Sequence, residues 1–135
     1  MLKRVLIIDD SYDDVLLAKT VISKISPDII TEAVMSGDDG LSVLRSGKDL
    51  PSLILLDLKM PRMDGIEVLK NIRGDSHLRH IPVVILTNSE LETDRETSVT
   101  AGANSFLQKA SSIDQFKVDI TQVLNRWLGA DVAHQ

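Results

Sequence analysis

Three apolar runs along this chain carry no polar alternation, and each stops at a residue with chemistry to offer. Val5-Leu6-Ile7-Ile8 leads into Asp9-Asp10, Leu53-Ile54-Leu55-Leu56 into Asp57, and Val83-Val84-Ile85-Leu86 into Thr87. A fourth strand-like stretch, Ser105-Phe106-Leu107-Gln108, ends at Lys109. Short unbroken apolar runs are what strands covered on both faces require. A fifth stretch, Ile29-Ile30-Thr31-Glu32-Ala33-Val34, alternates in part and reads as an edge strand.

Between the strands the apolar spacing turns helical. Val15, Leu16, Val21, Ile22 and Ile25 follow Ser11, an N-cap with Asp13 and Asp14 in the first turn, and Pro27-Asp28 closes that helix. Ser36 caps a short helix carrying Leu41, Val43 and Leu44, ended by Gly47. Asp64 caps one carrying Ile66, Val68, Leu69 and Ile72, ended near Gly74. A fourth helix, from about Glu90 to Ala101, is thin in apolar residues, whereas a fifth carries Ile113, Phe116, Ile120, Val123, Leu124, Trp127 and Leu128. A strand–helix unit repeated in this way predicts an α/β fold, a doubly wound parallel sheet with helices on both faces. The expected organisation is one domain over 1–128 and a short tail over 129–135, with no output domain.

At 135 residues, 43% of them hydrophobic, the chain is long enough and apolar enough for a real core. A formal charge of -5 and four aromatic residues argue against a nucleic-acid surface, which needs clustered Lys and Arg. The absence of Cys removes disulfides, thiolate metal sites and Cys nucleophiles. No apolar run approaches the length of a membrane span, and the start lacks the features of a signal peptide, so a cytoplasmic location is expected.

The carboxyl ends of parallel strands lie along one edge of the sheet, where ligands bind. Singly, an aspartate after a strand serves as a turn former or helix cap, and a lone lysine as a solvated cation. Together at neighbouring strand ends, these residues predict one site. Asp9, Asp10 and Asp57 repel one another unless a cation intervenes. Their hard oxygen ligands suit Mg²⁺, which takes one or two carboxylates and keeps several waters. A carboxylate can also attack a phosphoryl group to give an aspartyl-phosphate, a transfer governed by positioning and charge neutralisation. Asp57, alone on its strand, is the nucleophile candidate, with Thr87 and Lys109 placed for the phosphoryl oxygens.

These residues also carry a resemblance. Asp9-Asp10, the segment Leu55-Leu56-Asp57-Leu58-Lys59-Met60-Pro61-Arg62-Met63-Asp64-Gly65, Leu86-Thr87, and Phe106 with Lys109 resemble a response-regulator receiver (CheY-like) domain from about Lys3 to Trp127. Asp9-Asp10-Ser11 with Asp13-Asp14, Leu78 to Val84, and Ala101-Gly102-Ala103-Asn104-Ser105 resemble the stand-alone type associated with phytochromes. The resemblance implies a flavodoxin-like five-stranded sheet in the order 2-1-3-4-5 with five helices. It implies a phosphorelay: Asp57 accepts a phosphoryl group from the phosphohistidine of a sensor histidine kinase, of phytochrome or hybrid type. Asp10, Asp57 and the backbone carbonyl of Lys59 would bind Mg²⁺ directly, and Asp9 through a water. Thr87 and Phe106 would form the switch, the ring repacking inward. Pro61 and Gly65 would shape the loop after Asp57.

Without a DNA-binding or catalytic output segment, the signal is expected to leave by protein contact on the fourth helix, fifth strand and fifth helix. A homodimer through the last helix is a further expectation. One departure from the family pattern is Ala110, where proline usually follows the lysine. A cis bond to a non-proline residue costs about 2.5–4 kcal/mol, so the Lys109–Ala110 bond is expected to be trans, with a rearranged loop. Lys59 and Ser89 lie two residues beyond Asp57 and Thr87, and the resemblance implies that such neighbours control water access to an acyl phosphate; Lys59 reads equally as a plain surface cation. His77, His80 and His134 read as surface residues rather than metal ligands. A module of this kind turns over no separate substrate. The alternative, an aspartyl-phosphate phosphotransferase or phosphatase of similar fold, expects a second Asp where this chain has Lys59. A flavin module expects a phosphate-binding loop where it has Asp9-Asp10.

Overall fold

The computed structural model describes residues 3–129, so His134 and all but the first residue of the expected tail lie outside the described residues. Strands and helices alternate throughout: β1 (Arg4–Ile8), α1 (Tyr12–Ile25), β2 (Ile30–Val34), α2 (Gly37–Arg45), β3 (Leu53–Leu56), α3 (Gly65–Gly74), β4 (Val83–Thr87), α4 (Glu92–Thr100), β5 (Ser105–Gln108) and α5 (Ile113–Leu128). All strand pairs are parallel, in the order β2-β1-β3-β4-β5. The partly alternating strand is indeed at an edge.

Helix starts follow the capping residues. Ser11, Ser36 and Asp64 accept from the backbone N–H of Asp14, Asp39 and Glu67, as their sequence positions predict. Ser112 does the same for α5, accepting from Gln115. Each such cap is worth about 1 kcal/mol. The fourth helix is the exception: it begins at Glu92, two residues later than expected, and its N-cap position, Leu91, makes no side-chain bond. Ser89 is instead drawn back toward the strand end, its N–H donating to the Thr87 hydroxyl at 3.2 Å.

Side chains alternate across a strand, and here that period of two sorts the core into two layers. Val5, Ile7, Leu53, Leu55, Val84 and Leu86 face α1 and α5, packing against Val15, Ile22, Phe116 and Leu124. Leu6, Ile8, Ile54, Leu56, Val83 and Ile85 face the other way, against Leu41 and Leu44 of α2 and Val68, Leu69 and Ile72 of α3. Phe106 belongs to this second layer. These strand positions are almost fully buried, and burying one Leu or Ile side chain contributes about 1.5–3 kcal/mol. No helix of the described residues is long and apolar enough to cross a membrane.

Candidate functional site

Strand register fixes the edge where the polar residues emerge. Ile8 pairs with Leu56, so Asp9 and Asp57 leave adjacent strands at the same level, and the Asp57 N–H is anchored to the Ile8 carbonyl at 2.8 Å. Thr87 pairs with Gln108, and the next N–H, that of Lys109, donates to the Thr87 carbonyl at 2.6 Å. Alternation then assigns directions: Asp9, Asp57 and Lys109 continue the rows that face α1 and α5. Thr87 continues the row of Val83 and Ile85, on the Phe106 side.

Asp9, Asp10 and Asp57 can each offer an oxygen such that all three lie within 4.8 Å of one another. Asp9 and Asp57 are buried and Asp10 is exposed, so the cluster opens to solvent on one side. Three hard oxygen donors at this spacing fit a small divalent cation such as Mg²⁺. Both Asp9 oxygens already have protein donors, Ser11 N–H on Oδ1 and Lys109 Nζ on Oδ2, each at 2.9 Å. Asp57 Oδ1 accepts from the Leu58 N–H at 2.9 Å.

Burial pushes the Asp57 carboxyl up to about 7; the Lys109 ammonium opposes the rise, and Asp9 and Asp10 add to it. Four carboxylates around one ammonium leave a negative surplus that a divalent cation would answer. For Lys109, burial alone would lower the ammonium, but hydrogen bonds to Asp14 and Asp9, with the charges of Asp57 and Asp9, outweigh it and hold the pKa above the usual lysine value. Its Nζ lies 2.7 Å from Asp14 Oδ2, 2.9 Å from Asp9 Oδ2 and 3.7 Å from Asp57 Oδ1.

Thr87 is buried, and its hydroxyl accepts from the Ser89 N–H. Phe106 is already buried in this structure, with the Arg95 guanidinium 5.3 Å from its ring centroid. The Lys59 ammonium reaches across to Asp94 of α4, 3.2 Å from Oδ2, and the Ser89 hydroxyl bonds the same carboxylate. That short hydrogen bond, with the Lys59 charge behind it, holds the Asp94 carboxyl below the usual carboxylate range.

Gly65 closes the loop after Asp57. Its N–H donates to the Leu58 carbonyl at 2.9 Å, and a Cβ there would stand 2.3 Å from the Asp57 carbonyl oxygen. Close approach therefore requires this glycine, rather than the backbone relief expected from the sequence. The Lys109–Ala110 bond is trans, as expected without proline. His77 and His80 are exposed.

Sequence reasoning missed two members of this neighbourhood. Asp14 read as an acidic residue of a first helical turn and as part of the phytochrome-type resemblance, not as a partner of Lys109, and Asp94 was not singled out. Strand parity held a signal for the first: position 109 lies on the α1 side, whose first turn is acidic. For Asp94 there was none.

A receiver domain of response regulators matches residues 5–121. The probable methanogenesis regulatory protein FilR2 of Methanothrix harundinacea is 32% identical over 93% of this chain and 83% of its own length. Among solved structures, the phosphorylated cyanobacterial phytochrome response regulator RcpA superposes with a TM-score of 0.90 at 28% identity, covering 96% of both chains. The Mn²⁺-bound response regulator Rcp1 does so with a TM-score of 0.84 at 30% identity, over 93% of this chain and 94% of that one.

Proposed function

This chain belongs to the response regulator receiver family, and from that premise we propose that Asp57 accepts a phosphoryl group from the phosphohistidine of a sensor histidine kinase in a Mg²⁺-dependent reaction. One observation carries the reading: Asp57 shares a 4.8 Å cluster with Asp9 and Asp10 while the Lys109 ammonium stands 3.7 Å away. No separate substrate is turned over; the module is its own phosphoacceptor.

An Asp57 oxygen forms the new bond to phosphorus as the phosphorus–nitrogen bond of the donor breaks, and the imidazole leaves with the electron pair. Asp10 and Asp57, with the Lys59 carbonyl, would hold Mg²⁺, and Asp9, whose oxygens accept from the Ser11 N–H and the Lys109 ammonium, would act through a water. When bound, the cation supplies positive charge to the carboxylates and to the phosphoryl oxygens. Lys109 and the Thr87 hydroxyl hold the remaining oxygens. The Mn²⁺ in the Rcp1 structure supports a divalent cation here.

Drawing the Thr87 hydroxyl toward the phosphoryl group takes it from the Ser89 N–H and disturbs the approach to α4. Thr87 ends β4 and Phe106 lies on β5 against Arg95 of α4, and the neighbouring α4, β5 and α5 form the surface that a downstream protein reads. The likeness to RcpA, a phytochrome response regulator, favours a phytochrome-type or hybrid kinase as the donor and a receiver domain over 1–128. A homodimer through α5 is part of the same proposal, and light scattering with and without beryllofluoride tests it. Incubation with Mg²⁺ and acetyl phosphate, followed by mass measurement, tests the core reading. Wild type should gain one phosphoryl group and Asp57→Asn none; equal labelling of the two ends the assignment.

A further inference from the structure

The shortest contact of the Lys109 ammonium is with a residue from outside the strand ends. Asp14, in the first turn of α1, accepts from the ammonium at 2.7 Å, closer than Asp9 at 2.9 Å or Asp57 at 3.7 Å. An acidic residue three positions after an N-cap has two ordinary uses: to offset the helix dipole, or to reach back to the N-cap N–H and close a capping box. The second is closed off, because the Ser11 N–H already donates to Asp9 Oδ1 at 2.9 Å. Asp13 serves the dipole as well and is exposed. Among the described residues it forms no ion pair. Asp14 has turned to the lysine instead.

An ammonium has three N–H donors. Asp9 and Asp14 take two of them, and the side chain is only 10% exposed, so bulk water has little access to the third. The distance to Asp57, 3.7 Å, is beyond a hydrogen bond. A direct bond would tie up the carboxylate that must attack phosphorus and fill the place of a phosphoryl oxygen.

We propose that Asp14 is a positioning residue for phosphoryl transfer: with Asp9 it clamps the Lys109 ammonium at a stand-off from Asp57, keeping one N–H for an incoming phosphoryl oxygen. The inference rests on Asp57 being the phosphoacceptor. With acetyl phosphate as donor, the new bond joins Asp57 to phosphorus, the bond from phosphorus to the acetyl oxygen breaks, and acetate leaves with the electron pair. Asp14 and Lys109 exchange no proton in this step. Freed of Asp14, the ammonium closes on Asp57 and slows the attack.

The test compares wild type, Asp14→Asn, Asp14→Glu and Asp13→Asn as full chains at saturating Mg²⁺ with acetyl phosphate. Asp14→Asn should phosphorylate roughly tenfold more slowly, in line with the cost of a misplaced reacting group. Asp14→Glu, which keeps the charge and can reach the lysine, should recover the rate. Asp13→Asn, with the same charge change on the same turn, should match wild type. A wild-type rate for Asp14→Asn, or equal slowing by Asp13→Asn, overturns the clamp. A second readout needs no phosphorylation: the ¹⁵N–¹H signal of the Lys109 ammonium, sharp in wild type, should broaden in Asp14→Asn, and an unchanged signal also overturns it. A wild-type protein that takes up no phosphoryl group refutes the functional reading instead, and the ammonium signal then still decides the contact.

Discussion

The backbone N–H of Lys109 donates to the Thr87 carbonyl at 2.6 Å, and the two side chains proposed to hold a phosphoryl group leave adjacent strands one residue apart in register. Yet they leave toward different faces. Lys109 meets Asp14 of α1, whereas Thr87 continues the row facing α2 and α3. The pocket is thus assembled from two layers of the fold at the one edge where both are open.

Asp57 makes the metal-free fold sensitive to pH. Its carboxyl is raised from 3.8 in the unfolded chain to about 7 when folded. Between these values the native state holds a proton that the unfolded chain has released, so stability present below the lower value is lost as pH rises through the higher. Asp57→Asn removes this dependence. In chelator its melting temperature should rise relative to wild type across the window, the gap being smallest near the lower value and largest above the higher. Parallel melting curves at all pH values would refute the raised carboxyl.

Lys59→Ala should shorten the life of the phosphorylated state. The Lys59–Asp94 pair spans from the loop after Asp57 to α4, and the Ser89 hydroxyl joins the same carboxylate from the loop after Thr87. Exposed ion pairs of this kind contribute about 0–1 kcal/mol to stability, so melting should hardly move. Decay of the phosphoryl label should accelerate severalfold as water gains access. A half-life equal to wild type removes the barrier role.

Gly65→Ala should cost stability directly. The added methyl would meet the Asp57 carbonyl oxygen at 2.3 Å and the Leu58 Cα at 2.9 Å, both backbone atoms with no rotamer to move aside. Overpacking against fixed atoms costs about 1–3 kcal/mol. Denaturant unfolding should show a lower midpoint with an unchanged slope. A midpoint at the wild-type value would mean that the loop relaxes freely.

Thr87→Val keeps the branched shape in a buried position but removes the acceptor of the Ser89 N–H. Phosphoryl uptake on Asp57 should slow but still go to completion, since Lys109 remains, and a loss of about 1 kcal/mol is expected from the missing hydrogen bond. Beryllofluoride should then no longer shift the amide resonances of Phe106 and the first turn of α4. Shifts of wild-type size would place the switch elsewhere.

Most of the architecture was legible because it depends on local rules. Unbroken apolar runs and the caps Ser11, Ser36 and Asp64 placed nine of the ten elements close to their observed bounds. The start of α4 was misplaced because the Ser89 N–H is turned back to the Thr87 hydroxyl two residues before, a local turn that the helical spacing alone does not register. In the same way, the strand-end residues were legible from position alone. The partnership of Asp14 with Lys109 was not, since it joins residues far apart in sequence through the packing of α1 on the sheet. Gly65 was picked out correctly but for a different reason, because close approach depends on where the chain returns rather than on its own dihedrals.

The alternation of side chains across the sheet has a last consequence. Lys109 and Thr87, proposed to hold one phosphoryl group, leave the sheet toward opposite sides of the molecule. A phosphoryl group held between them would therefore draw at once on a side chain seated against α1 and on another seated beneath α4.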